Sequence, residues 1–436
     1  MSRRAGPPVH DLLGVGIGPF NLSLAALLDP VEGVDAVFCD QAEAFAWHPG
    51  LLLEGTTTQV PFLADLVTLA DPTSRHSFLE YLRAHDRLYR FYLRERFHLP
   101  RREYDHYCRW VAGRLPSCRF SSRVEELRWL EGSGVFEAEL TEVPGGRASR
   151  RRARNLVLGV GTTPAVPAAL AGALGKDVFH AAEFLDQRER LRQAAAVTVV
   201  GSGQSGAEVF LELLAEQPGC GYRLDWLTRS AGFFPMEYSR LGLEHFTPDY
   251  TRYFHSLPAA TRDRLLPTQD LLYKGIDVDT IAAIHDLLYE RTVAGATPAV
   301  RLLAHAEVRS LEPAGGRWRL AGRQWEQGRD FTVDADCVVL ATGYQAAPPA
   351  CLDGLASLVD WDEGGRYRVG LDYRVATDPP VTGGLYVQNG ELHTHGVGAP
   401  DLGLGANRAA TIVNALTGRE VYRLPRRTAF TDFGVD

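Results

Sequence analysis

Two stretches of this chain share a pattern that few folds accommodate: an apolar β-branched run, a glycine-rich turn and a helix-forming run. The first reads Val9-His10-Asp11-Leu12-Leu13-Gly14-Val15-Gly16-Ile17-Gly18-Pro19 and leads into Asn21 to Leu27. The second reads Val197-Thr198-Val199-Val200-Gly201-Ser202-Gly203-Gln204-Ser205-Gly206 and leads into Ala207 to Leu211. Continuous apolar runs of this kind suit parallel strands covered on both faces, and a glycine turn into a helix is how such sheets cradle a dinucleotide. The two units are too far apart in sequence to be neighbours in one sheet. The expectation is an α/β fold with two Rossmann-like dinucleotide-binding domains. A third run, Asp336-Cys337-Val338-Val339-Leu340-Ala341-Thr342-Gly343-Tyr344, is expected to close the first of them.

Each loop makes its own demand on a ligand. In Gly16-x-Gly18-Pro19-x-Asn21 the first glycine permits a tight turn and the second lets the backbone approach a pyrophosphate. The helix start then offers free N–H groups and a partial positive charge. Asn21 stands where the common fingerprint has its third glycine. The next strand, Ala36 to Asp40, ends in a carboxylate placed to accept hydrogen bonds from ribose hydroxyls, as FAD or NAD requires. The second loop meets the full pattern, with Ser202, Gln204 and Ser205 between its glycines. Its following strand, Leu224 to Leu227, leads into Thr228-Arg229-Ser230 with no acid at the ribose position. Arginine among small hydroxyl residues suits a 2′-phosphate, which favours NADPH over NADH.

At 436 residues the chain is expected to form two or three domains. The FAD domain would take residues 1–165 and 335–436, and the NADPH domain residues 166–235 and 296–334. Between them, 236–295 turns to aromatic-rich helices with prolines at 248, 258 and 267, and reads as an inserted helical substrate subdomain. The basic run Arg147 to Arg154 reads as a solvated hairpin. A formal charge of −8 argues against nucleic acid or an anionic membrane as partner. No apolar run approaches the roughly 20 residues that span a bilayer, and the expected location is the cytoplasm. The six cysteines, at 39, 108, 118, 220, 337 and 351, form no C-x-x-C pair and no zinc-like cluster. Electrons delivered to a flavin here would pass to O₂ or a small acceptor rather than to a dithiol.

More specific motifs accompany the loops: Phe45-Ala46-Trp47-His48-Pro49-Gly50, Gln59-Val60-Pro61-Phe62-Leu63-Ala64-Asp65-Leu66, Tyr104-Asp105-His106-Tyr107-Cys108-Arg109-Trp110, Phe179-His180 and His395-Gly396-Val397. With them the chain resembles, over nearly its whole length, the microbial N-hydroxylating flavin monooxygenases of siderophore biosynthesis. These act on lysine, ornithine and diamines, and the likeness is greatest to the putrescine/cadaverine branch. The resemblance implies that NADPH reduces FAD, that O₂ then forms a C4a-hydroperoxide, and that a neutral amine attacks its distal oxygen. An ammonium has no lone pair to donate, so the pocket must be poor in water. It also implies that Trp47, His48 and Gln59 lie at the isoalloxazine and that Pro400, Asp401 and Leu402 approach it. Arg109, Thr342 and Gly343 join the FAD contacts and Lys274 the NADPH contacts. A homo-oligomer, commonly a tetramer, is implied as well.

Departures from the family pattern bear on the amine. Members acting on ornithine or lysine carry a lysine at the position of Ala64, where it pairs with the amino-acid carboxylate. Leu243, in Leu243-Glu244-His245-Phe246-Thr247-Pro248, replaces an asparagine donor, and Gly403 replaces a serine. One charge-assisted hydrogen bond is worth roughly 1.5–3 kcal/mol. A substrate lacking a carboxylate therefore fits better, and an aliphatic diamine, putrescine or cadaverine, is expected. Glu244 or Asp401 would receive its distal ammonium. The alternative keeps lysine or ornithine as substrate, with Arg240 or Lys274 supplying the missing charge. More distant rivals are another class B flavin monooxygenase, a pyridine-nucleotide reductase and a non-catalytic NADPH sensor.

Overall fold

The computed structural model describes residues 8–435. Both glycine runs start from buried parallel strands, Val9–Val15 and Ala196–Val200, each followed by a helix, Pro19–Leu28 and Gln204–Cys220. The first helix is buried almost all round, because it lies between its own sheet and the helix Gly405–Thr417. Leu22, Leu24 and Leu27 are at most 1% exposed, each such burial contributing about 1.5–3 kcal/mol.

The strands belong to two sheets. In the seven-stranded sheet, Val9–Val15 pairs in parallel with Ala36–Cys39 on one side and with Ala148–Leu158 on the other. The long strand Ala148–Leu158 then pairs antiparallel with Val135–Glu142, and near its end in parallel with Leu385–Val387. The basic run is the hairpin strand expected, with Arg150 and Arg152 paired to Glu139 and Glu137 across it. The second sheet is wholly parallel, in the order Val178–His180, Cys337–Leu340, Ala196–Val200, Arg223–Leu227, Val300–Leu303. The three strand-like pieces after 306 form an antiparallel sheet, Ala306–Ala314, Arg317–Gln324 and Arg329–Ala335.

Two expectations about boundaries need correction. The run Cys337–Leu340 sits inside the second sheet, so it closes the second domain rather than the first. The strand that returns to the first sheet is Leu385–Val387. A β-branched run fits any doubly covered strand, and nothing in it names its neighbours. The helical stretch 236–295 is also not one unit. Its last helix, Val278–Glu290, packs Ile281, Ile284 and Leu287 into the core beneath Gln204–Cys220. Its earlier part, around Tyr250 and Phe254, packs instead on Val397 beside the first sheet.

The chain crosses between the sheets twice, after Leu158 and after Leu340. The crossings run side by side, because Thr163–Pro164 pairs antiparallel with Tyr344–Gln345. Thr342 Oγ1 donates to Ala165 O at 2.7 Å, and the Ala165 N–H donates to Gly343 O at 2.9 Å. All six cysteines are free thiols. Burial pushes those of Cys39, Cys337 and Cys351 up to about 11, which leaves them protonated and inert. No described helix is long and apolar enough to cross a membrane.

Candidate functional site

The parallel strands of both sheets end at one cleft of about 1400 Å³, the place where open α/β sheets bind ligands. The first half contributes Trp47, His48, Gln59 and Arg101, and the second contributes Gly201 to Ser205 with Arg229. Thr342, Gly343 and Tyr344 form the floor at the crossing, and Pro400, Asp401 and Leu402 close one side.

Two atoms in this wall point to a missing partner. Gln59 Nε2 and the Tyr344 hydroxyl are buried with no hydrogen-bond partner among the described residues. Leaving such a group unpaired costs about 1–3 kcal/mol, so both fit a ligand rich in acceptors, such as the carbonyl and ring-nitrogen edge of a flavin. Trp47 is fixed from behind: its backbone N–H donates to Asp105 Oδ1 at 2.8 Å, and Arg109 Nε binds Asp105 Oδ2 at 2.8 Å. Arg109 is thus spent on Asp105 and does not line the cleft, contrary to its expected place among the cofactor contacts. Its position one helical turn from Asp105 makes that pair the nearest partner it has.

His48 has a left-handed backbone, with φ of 49°, and its ring stands edge-on between Trp47 and Tyr344. Its accessible surface faces the cleft. Enclosure by protein, with Arg101 nearby, pushes its imidazole down to about 4, so it is neutral at physiological pH. Arg101 was not marked by any motif, yet it joins the two halves: its Nη1 meets Glu208 Oε2 at 2.8 Å, with both groups nearly buried. Only the folded arrangement brings these residues together, so no local pattern could have pointed to the pair.

The first loop shows which glycines touch what. A Cβ on Gly14 would strike the Phe38 ring, so Gly14 serves strand packing. Gly16, with φ of +85°, lies against Gly159 O, where a Cβ would come within 2.6 Å. Gly18 caps the helix, which opens with Pro19. Asp40 faces the loop itself: Oδ2 accepts the Ile17 N–H at 2.7 Å and Oδ1 accepts the Ala42 N–H at 2.8 Å. None of Gly14, Gly16, Gly18, Pro19 and Asp40 lines the cleft.

At the second loop, Gly206 is buried against Gly201 O and does not reach the cleft, while Ser202 Oγ bonds Thr228 Oγ1 at 2.7 Å. Arg229 lines the cleft, exposed and without an ion pair among the described residues. Gln204 spends its side chain elsewhere, donating to Glu208 Oε1 at 2.7 Å and accepting the Asp277 N–H at 2.7 Å. Lys274 lines the cleft but is held by Asp270 Oδ1 at 2.7 Å.

The residues expected to select the amine divide. Ala64 and Gly403 do not line the cleft themselves but face one another behind Asp401 and Leu402, since a Cβ on Gly403 would lie 3.9 Å from that of Ala64. Beside them Asp401 accepts the Gly403 N–H at 2.7 Å, and burial pushes its carboxyl up to about 6. Leu243 stands half-exposed on the turn Gly242–Phe246, off the cleft wall. Glu244 is not free to receive an ammonium: its two oxygens accept the N–H groups of Phe430 and Thr431 at 3.0 and 2.9 Å. That segment is far away in sequence, which is why the motif alone was misleading about Glu244.

Residues 8–346 match the family model described as L-lysine 6-monooxygenase/L-ornithine 5-monooxygenase. A rhizobactin siderophore biosynthesis protein, RhbE, of Rhizobium meliloti (strain 1021) is 48% identical over 432 residues, 98% of this chain and 95% of that protein. A putrescine N-hydroxylase of Shewanella oneidensis is 40% identical over 98% of this chain and 84% of its own length. Among solved structures, DfoA bound to FAD, the cadaverine monooxygenase of the desferrioxamine biosynthetic pathway of Erwinia amylovora, superposes with a TM-score of 0.95. It is 41% identical, and the match covers 98% of this chain and 99% of that one.

Proposed function

Because the chain belongs to the L-lysine 6-monooxygenase/L-ornithine 5-monooxygenase family, we propose that it hydroxylates one primary amine of an aliphatic diamine, putrescine or cadaverine, for siderophore biosynthesis. The cofactors are FAD and NADPH, with O₂ as co-substrate. We assign FAD to the half built on the seven-stranded sheet and NADPH to the half built on the five-stranded one. When bound, the flavin reduced by NADPH supplies the means of placing one oxygen atom of O₂ on the amine nitrogen. The protein's part is to hold, dry and orient the reactants.

In this reading Gln59 offers its unpaired amide to the flavin edge, and Trp47, His48, Thr342, Gly343, Pro400 and Leu402 wall the ring system. The first loop and Asp40 serve the adenosine end, Asp40 by fixing the Ile17 backbone. The N–H groups of Ser202 to Ser205 serve the second dinucleotide, and Arg229 takes its 2′-phosphate. His48, held neutral, leaves this part of the wall uncharged.

The observation that carries the diamine reading is the apposition of Ala64 and Gly403 beside Asp401. No cation or hydroxyl stands at these two positions to receive a substrate carboxylate. A carboxylate stands next to them instead, the charge that receives a distal ammonium. The other acids on the wall, Asp270 and Glu307, are already engaged by Lys274 and Arg309. A homo-oligomer also belongs to this reading. The helix Leu88–Arg94 has no buried residue and leaves Tyr89, Tyr92 and Leu93 more than 70% exposed, an apolar face of the kind association covers. Light scattering on the purified protein checks it.

The deciding experiment pairs NADPH oxidation with a direct assay of hydroxylamine, using FAD-loaded enzyme with putrescine, cadaverine, ornithine and lysine side by side. Coupled product from a diamine is the expected result. Product chiefly from ornithine or lysine overturns the substrate and keeps the enzyme class; NADPH consumption without product from any of the four overturns the amine reading.

A further inference from the structure

The turn Gly242–Phe246 and the helix Pro248–Ser256 are held from outside by a segment remote in sequence, residues 426–434. Glu244 accepts two of its backbone N–H groups, from Phe430 and Thr431. Asp249 accepts both the N–H and the hydroxyl of Thr428, and Arg252 Nη2 donates to Arg426 O at 2.7 Å. The ring of Phe433 then inserts among His245, Tyr250 and Tyr253, with centroids 5.4, 4.9 and 6.1 Å away.

These contacts continue to the cleft. Phe433 belongs to the apolar cluster around Tyr250 and Phe254 that also includes Leu266 and Tyr273, and both of these line the cleft. Gln269 bonds the Tyr250 hydroxyl, which ties the same wall to the same ring. Neither Leu266–Gln269 nor Asp270–Tyr273 contains a fully buried residue. A piece of wall without a buried anchor of its own takes its position from what it leans on.

We infer that segment 426–434 is a strap that positions the Leu266–Lys274 wall of the cleft for the substrate amine, with Glu244, Asp249 and Phe433 as its positioning residues. The inference rests on the cleft being the amine site proposed above. Glu244, which sits inside a motif associated with substrate, then acts on the substrate only through the strap. A displacement of the wall by an ångström is enough to spoil the alignment of a small flexible amine.

The test uses FAD-loaded enzyme in three forms: Phe433→Ala, Glu244→Gln and a chain lacking residues 426–436. Putrescine KM, hydroxylamine formed per NADPH, NADPH KM and flavin content are measured, together with hydrogen exchange of the 266–274 amides. Phe433→Ala is expected to raise putrescine KM about tenfold and to lower coupling, with flavin content unchanged and NADPH KM changed by less than the putrescine KM. Exchange at 266–274 should quicken, and Glu244→Gln should move every reading the same way by less. Unchanged exchange and unchanged KM in the shortened chain overturn the strap. So does a general loss of flavin and thermal stability in all three forms without a selective change at 266–274. If the unaltered enzyme makes no hydroxylamine from any amine, the amine reading falls, and exchange at 266–274 alone decides the strap.

Discussion

At the second glycine loop the helix comes close to its strand because Gly206 lies directly against Gly201 O. At the first, the same position is Asn21, whose side chain fills the gap that a glycine would leave. Asn21 Nδ2 donates to Val15 O and Gly16 O at 3.1 and 2.8 Å, and its Oδ1 accepts from Gln388 Nε2 at 2.7 Å. The missing glycine reappears on a neighbouring strand end: a Cβ on Gly159 would overlap the Asn21 amide. One loop achieves closeness by removing atoms, the other by hydrogen-bonding across a fixed gap. The arrangement at the first loop involves three chain segments and that at the second only two. The first half should accordingly tolerate less change and hold its cofactor as part of its core.

The sharpest way to break this contrast is a paired substitution. Gly159→Ala pushes a methyl into Asn21, and overpacking of this kind costs about 1–3 kcal/mol, so flavin retention should fall roughly ten- to hundredfold. Gly206→Ala should weaken NADPH binding to a similar extent while the purified protein stays yellow. Flavin absorbance and NADPH KM measure both. If Gly206→Ala also strips the flavin, the two loops are not independent.

Arg229→Ala comes next. Its unpaired guanidinium should account for about 1.5–3 kcal/mol of 2′-phosphate recognition, so NADPH KM should rise roughly ten- to hundredfold with NADH little affected. Steady-state kinetics with the two nucleotides settle the matter, and an equal loss for both would remove Arg229 from phosphate recognition.

A third prediction concerns charge in the first half. Asp401 has its carboxyl raised to about 6 by burial, against a usual value near 4. A raised acid favours the folded state in its protonated form. Its contribution to stability is therefore complete below the usual value and declines as pH rises through about 6. Asp401→Asn should remove that decline from a series of thermal melts between pH 4 and 7. In turnover the same carboxylate is lost as pH falls through about 6, so diamine kcat/KM should show an acid limb there that Asp401→Asn abolishes. An acid limb that survives in the variant would assign it to another group.

The smallest effect is expected at Lys274, which is already paired with Asp270 at 2.7 Å. Exposed pairs of this type contribute about 0–1 kcal/mol, so Lys274→Met should change NADPH KM by about fivefold at most. A loss as large as that of Arg229→Ala would mean the pair opens for the nucleotide.

The glycine loops, their strands and the helical character of 236–295 could be read from sequence because period and turn chemistry are local properties, whereas the division of that stretch between two cores could not. Trp47, Gln59, Thr342 and Arg229, singled out by their motifs, all line the cleft. Cys337–Leu340 was misplaced because sheet membership depends on partners, and Glu244 because its partners come from residues 430 and 431. Arg101 and the Gly159–Asn21 contact were invisible for the same reason. Each depends on two distant segments meeting, and neither segment bears a pattern of its own.

The paired crossings between the sheets carry a mechanical consequence. Two chain connections that run antiparallel and are hydrogen-bonded to each other at Thr163–Pro164 and Tyr344–Gln345 act like the two plates of a door hinge. Twisting about their common axis is soft, while sliding and tilting strain both plates at once. Free rotation about that axis is checked, because Leu51 and Leu53 from the first half are buried in the core of the second and Arg101 pairs with Glu208. The ribbon thus sets the angle between the two halves and, through Tyr344, reaches the floor of the cleft at the same time.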